Sequence, residues 1–128
     1  MGEPVVLLPS WARGAQDFED LMVALACAGF RAVAVNPRGV DGSTGELVGI
    51  TNHDLATDVA GVIEALDIAP AHIIGHAYGN RLARCLATDR PECVKTVILL
   101  AAGGLVAPQR EAIAALQRTL TEDLPDAE

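Results

Sequence analysis

At 128 residues the chain is one domain's worth, long enough to bury a single core. An apolar fraction of 51% excludes an unstructured chain, and a formal charge of −8 disfavours nucleic acid and anionic membranes, which both need a basic footprint. Trp11, Tyr78, Phe18 and Phe30 are the whole aromatic inventory, so the core must be Val, Ile, Leu and Ala, as in a buried parallel sheet with helices on its faces.

In chain order, Val5 to Pro9 is a short apolar run of the kind that forms a fully buried strand. After the loop Ser10-Trp11-Ala12-Arg13-Gly14, the residues Phe18, Leu21, Met22, Leu25 and Ala26 recur at helical spacing, and Gly29 stops that helix. Arg31 to Val35 reads as a second strand, ended by the turn-rich stretch Asn36 to Ser43. Thr51 and Asp54 form a variant capping box, behind which Leu55, Val59, Val62, Ile63 and Leu66 make one apolar stripe running to about Asp67. Ala71 to Gly75 is a third strand, Leu82, Ala83, Leu86 and Ala87 mark a third helix, and Thr96 to Ala101 a fourth strand. Pro108 then opens a helix with Ile113, Leu116 and Leu120 on one face, before an acidic end at Glu122 to Glu128. The alternation predicts an α/β fold, a three-layer sandwich with a mostly parallel sheet of about four strands and its loops gathered at the carboxyl ends.

Cys27, Cys85 and Cys93 have no C-x-x-C spacing. The two in helical patterns, Cys27 and Cys85, are expected to be buried small hydrophobes in a reducing compartment. No apolar run approaches bilayer-spanning length, and Met1-Gly2-Glu3-Pro4 enters a strand with no basic segment before it, so a cytoplasmic domain without a signal peptide is expected.

The chemistry-bearing stretch is Gly75-His76-Ala77-Tyr78-Gly79, a glycine-bracketed turn between an apolar strand and a helix. This is the layout of a nucleophile elbow, in which the middle residue stands clear of the sheet. Ala77 occupies that position, and a methyl group cannot attack a substrate. The backbone amide of Tyr78 is expected to form half of an oxyanion hole, with the other half from the loop near Trp11. Trp11 and Tyr78 are also the candidates for substrate contact.

The same residues resemble part of the α/β-hydrolase fold family. Val5 to Leu8 matches its strand before the oxyanion loop, Asn36-Pro37-Arg38-Gly39-Val40-Asp41-Gly42-Ser43 resembles D-x-R-G-x-G-x-S, and Ala71-His72-Ile73-Ile74-Gly75-His76 resembles A-H-x-x-G-H. The resemblance covers about residues 5–107 and implies a partial core at 1–107 followed by the start of a cap at 108–128. It also implies a parent class that hydrolyses ester-like or other small molecules. Pro9-Ser10 replaces the family's His-Gly, Ala77 replaces its Ser, Asp or Cys, and no triad acid or base His follows. Three readings of Ala77 stand: native loss of the nucleophile, a deliberate replacement, or a position without consequence in a fragment.

The remaining candidates have structural readings. His76 directly precedes the elbow residue, cannot reach back into the same site, and is expected to hydrogen-bond structurally. His53 and His72 lack metal-ligand spacing. Arg38 is expected to pair structurally, Asp41 to sit in a turn, and Asp58 to be an isolated acid on a solvated helix face. No cofactor or metal is expected, since the glycines fit no nucleotide pattern. Two functions compete: a truncated or degenerate hydrolase without an intact triad, and a non-catalytic binding or assembly module. In the second, a small-molecule ligand would occupy the retained pocket and a homo-oligomer would form through the open second and fourth strands. A nucleophile-independent member of the fold is a further alternative.

Overall fold

The computed structural model describes residues 2–103 and 107–121. Four strands, β1 (Pro4–Leu8), β2 (Arg31–Ala34), β3 (Ala71–His76) and β4 (Val94–Leu100), form one sheet. Their order is β2-β1-β3-β4 and every pairing is parallel. Among the described residues β2 and β4 are the outer strands, as expected. Val5, Val6, Leu7 and Leu8 are all buried because β1 is central and covered on both faces, which explains its continuous apolar run.

The helices α1 (Glu19–Cys27), α2 (Asn52–Ala65), α3 (Gly79–Asp89) and α4 (Arg110–Thr121) alternate with the strands. On one face Val6, Leu8 and Ile73 meet Leu55, Val59 and Ile63 of α2 and Leu82 and Leu86 of α3. On the other, Val5, Leu7, Ile74 and Phe18 form a smaller core with Leu21, Met22 and Leu25 of α1 against it. This gives the three expected layers. The smaller core is thin towards β4, where Ile98 is 44% and Leu100 38% exposed.

The helix start at Thr51 is a true capping box: Thr51 N–H donates to Asp54 Oδ2 at 2.7 Å, and Asp54 N–H donates to Thr51 Oγ1. Three expectations need correction. Cys27 is exposed and Cys85 half-buried, with only Cys93 fully buried, because α1 presents its last turn to solvent. Phe18 precedes α1, in a 3-10 turn spanning Ala15–Phe18, instead of opening the helix. The last helix begins at Arg110, two residues beyond Pro108; the expected stripe at Leu116 and Leu120 and the acidic end fall outside the described side chains.

His53 Nδ1 lies 2.5 Å from Asp89 Oδ2, tying α2 to the last residue of α3. The hydrogen bond to Asp89 and then its charge raise the His53 pKa above 6.5. A raised folded-state value means that this contribution is complete below the unfolded pKa and is lost as pH rises through the folded one. His53→Gln should therefore lower the urea midpoint at pH 5 and leave it unchanged at pH 9; an equal effect at both would show that the ion pair contributes nothing.

Candidate active site

β3 ends at His76, the chain turns through Ala77 and Tyr78, and α3 starts at Gly79. Ala77 has φ +50°, in the left-handed region that costs a residue with a side chain roughly 1–2 kcal/mol. Hydrogen bonds hold it there. Its N–H donates to Leu100 O at 2.9 Å, and its carbonyl accepts from Asn80 N–H at 3.1 Å. Asn80 Nδ2 donates to the same Leu100 oxygen at 2.8 Å, so one carbonyl at the end of β4 secures both sides of the turn.

The flanking glycines are required by space. A Cβ on Gly75 would lie 2.5 Å from Gly79 O, and one on Gly79 would lie 2.2 Å from Leu8 O. Strand, helix and the end of β1 thus cross with only hydrogens between them.

The loop after β1 brings Trp11 edge-on to Tyr78, with ring centroids 5.0 Å apart. The Tyr78 hydroxyl donates to Asn52 Oδ1 at 2.5 Å, and the Arg81 guanidinium lies 5.9 Å from the Tyr78 ring centroid. Among the described residues, neither the Trp11 nor the Tyr78 backbone N–H donates to a protein acceptor. Ala77, Tyr78 and Trp11 are thus adjacent in the fold, as expected, although Trp11 is 63% exposed.

The turn-rich stretch after β2 is a clamped loop. Asn36 Oδ1 accepts from Ala15 N–H at 2.7 Å, and Ser43 Oγ donates to Asn36 O at 2.9 Å. Arg38 Nε and Nη2 donate to the two oxygens of Asp58 at 2.6 and 2.9 Å, and Nη1 donates to Glu46 O at 3.1 Å. The Asp58 hydrogen bonds raise the Arg38 pKa above its already high value. Asp58 is therefore not an isolated acid on a solvated face, because a guanidinium twenty residues earlier reaches it bidentately. Asp41 occupies a turn at φ +46°, as expected.

Between this loop, β1, α2 and Tyr78 lies a cleft of about 760 Å³. Leu8, Trp11, Val35, Leu47, Ile50, Leu55, Val59, Tyr78 and Leu82 supply its apolar wall, and Arg38 and Asp58 are its charged lining. The histidines lie elsewhere. His53 is on Asp89, and His72 bridges Thr96 Oγ1 at 2.6 Å and Glu3 Oε2 at 3.0 Å near the start of β3. The His76 ring packs edge-on to Phe18, 6.5 Å between centroids, with no hydrogen bond among the described residues, so its role is packing and not the expected hydrogen bonding. Among the described residues, no group of three or more His, Cys, Asp or Glu could hold a metal, and no helix is long and apolar enough to cross a membrane.

A strand, a glycine-bracketed left-handed turn and a helix, on a parallel sheet of this order, coincide with a known family. Its sequence pattern, the α/β hydrolase fold, matches residues 3–125. The chain belongs to the α/β-hydrolase fold family. It is 34% identical to BpoC of Mycobacterium tuberculosis over 104 residues, covering 80% of this chain and 39% of that protein. It is also 34% identical to a non-heme chloroperoxidase of Streptomyces lividans over 102 residues, covering 79% of this chain and 37% of that one. The BpoC crystal structure superposes with a TM-score of 0.83 at 29% identity, over 98% of this chain and 48% of BpoC. An esterase from Exiguobacterium antarcticum gives 0.80 at 26% identity, over 95% and 49%. The chain spans under half the length of each of these relatives.

Sequence reasoning passed over Asn52 and Asn80. Asn80 is 3% exposed, and its Oδ1 has no partner among the described residues. A polar residue one position after the second glycine was the available signal for it. Asn52 had only its place in the first turn behind a capping box.

Replacing Ala77 by Gly should relieve the left-handed strain and raise stability by up to about 1 kcal/mol, whereas Gly79→Ala should cost at least about 1–3 kcal/mol by overpacking. Urea denaturation of both variants checks this pair, and a neutral Gly79→Ala would refute the close crossing.

Proposed function

We propose that this chain carries a hydrolase-type nucleophile elbow at Gly75–Gly79 whose reactive position is inert, so that the site binds a small molecule without forming a covalent intermediate. The single observation behind this is Ala77 itself, held at φ +50° at the point where β3 hands over to α3. A nucleophilic mechanism needs an oxygen or sulfur there with a base in reach, and the three histidines are engaged elsewhere or packed on Phe18. The amides of Tyr78 and Trp11 act in this reading as the oxyanion pair, and the side chains of both residues face ligand in the adjoining cleft. Supporting it, both residues border that cleft and both amides lack protein acceptors among the described residues.

The ester-like parent class rests on the relatives, which include an esterase and a chloroperoxidase by name. A base supplied from outside the described residues would convert the same amide pair to nucleophile-independent chemistry. Residues 108–128 we assign to the start of a cap over this cleft. A reducing, cytoplasmic setting fits three unpaired cysteines.

The wild-type chain should hydrolyse 4-nitrophenyl acetate no faster than an equal concentration of Gly79→Ala protein, and should take no fluorophosphonate adduct. Ala77→Ser should likewise take none on the 71–81 segment, by mass spectrometry of the digest, because no base among the described residues reaches that hydroxyl. Turnover by the wild type would sink the inert reading, and an adduct on Ala77→Ser would show a base within reach of residue 77.

A second reading, self-association, is favoured by β4, an outer strand without a neighbour on one side among the described residues, with Ile98 and Leu100 exposed on one face. In sedimentation, wild type should associate with rising concentration and Ile98→Lys should remain monomeric; a wild-type monomer throughout would remove this reading.

A further inference from the structure

The cleft wall that follows β2 is bonded unevenly. Residues 36–43 are tied in by backbone bonds from Gly39 to Ser43 and from Val40 to Pro37, and by the side chains of Asn36 and Ser43. Residues 44–50, which lead from there towards α2, make no backbone–backbone hydrogen bond among the described residues. One hydrogen bond joins them to the rest of the described chain, Arg38 Nη1 donating to Glu46 O at 3.1 Å. The other, from Val48 N–H to Glu46 Oε1, is internal to the segment. Segments held by so few bonds move at low free-energy cost.

The segment has a hinge at each end and a fixed support between them. Gly45 stands at φ +152° and Gly49 at φ +74°, and a Cβ on Gly45 would fall 2.7 Å from Arg38 Cδ. Arg38 is itself anchored to α2 by its two bonds to Asp58, so Glu46 O rests on a stationary guanidinium. Leu47 and Val48 lie beyond that support, and both are apolar and open to water, at 56% and 83% exposure. Leu47 and the exposed Trp11 line the cleft, whereas Val48 does not. Single exposed apolar side chains are ordinary, but here two adjoin a cleft that already has Trp11 in its lining. Folded over an occupied cleft, Leu47 and Val48 would leave water for the apolar body of the ligand, and no backbone hydrogen bond would be broken in the move.

We infer that residues 45–49 are a flap, hinged at Gly45 and Gly49 and supported at Glu46 by Arg38, that closes its Leu47–Val48 tip over a ligand with an apolar body. The inference rests on the reading of this cleft as the ligand site. It gives Val48 a contact that exists only when the cleft is filled.

The probe is N-phenyl-1-naphthylamine, an apolar fluorophore that brightens when it leaves water. Trp11 is the chain's only tryptophan, so its indole N–H in a ¹H–¹⁵N NMR spectrum reports occupation of the cleft, and the amides of residues 45–49 report the flap. Both sets of signals should shift together on titration of the full chain. In stopped-flow fluorescence, Val48→Ser should release the probe at least about threefold faster than wild type, from the lost burial of one apolar side chain. Val23→Ser, an equally simple change at an exposed valine of α1, should leave release unchanged. Both substitutions lie on the surface, and a preserved NMR spectrum establishes that each variant is folded. A smaller change in Val48→Ser, or an equal change in Val23→Ser, overturns the flap while leaving the cleft a ligand site. If the probe does not shift Trp11, the cleft reading itself fails and the inference falls with it; the inert elbow is decided separately by turnover of 4-nitrophenyl acetate.

Discussion

The fold turns on a backbone contact that admits no side chain. Where β3 passes into α3, Gly79 lies against the Leu8 carbonyl and Gly75 lies beneath Gly79, each so close that a single Cβ would fall within 2.2 to 2.5 Å of an oxygen. Three neighbouring elements are brought together there, β1, β3 and α3. The Leu100 oxygen ties in a fourth, because β4 receives both the Ala77 N–H and the Asn80 amide. Ala77 is left-handed because the turn requires it. The strain is carried by the surrounding hydrogen bonds, so the position keeps its shape with a methyl group where chemistry would need a heteroatom.

The residues beside Ala77 join the turn to the rest of the molecule. Tyr78 connects the turn to α2 through Asn52 and to the β1 loop through Trp11. Arg38 and Asp58 fasten the loop after β2 to α2 and cancel each other's charge in the wall of the cleft. Asp58 has 38% of its side chain exposed, so its attraction to Arg38 is partly screened by water. The pair matters more for where it holds the loop than for the stability it adds.

Much of this was legible in the residues. Buried parallel strands declare themselves by continuous apolar runs, as in Val5 to Leu8, and the capping box at Thr51 and Asp54 locates a helix start from local chemistry alone. The glycines at 75 and 79, with the apolar strand before them, place the turn. Contacts between distant segments were not legible. Nothing local to Asp58 indicates an arginine twenty residues away, and nothing local to Asn52 indicates a tyrosine hydroxyl from the far side of β3. Cys27 misled for the same reason: helical periodicity gives the spacing of an apolar stripe, but which turn is covered depends on where the sheet ends. The cleft exists because loop, helix and strand meet in space, and no single stretch encodes it.

The exposure of Cys27 gives the molecule a chemical asymmetry. Cys85 is half-buried and Cys93 buried, and desolvation pushes both thiols up, away from the reactive thiolate. Cys27 ends α1, the helix packed on the sheet face opposite α2 and α3. Cys27 is thus the one fully exposed thiol of the three, on the side away from the cleft. A spectroscopic label could be attached there without substituting any residue and without crowding Trp11, Tyr78 or Asn52.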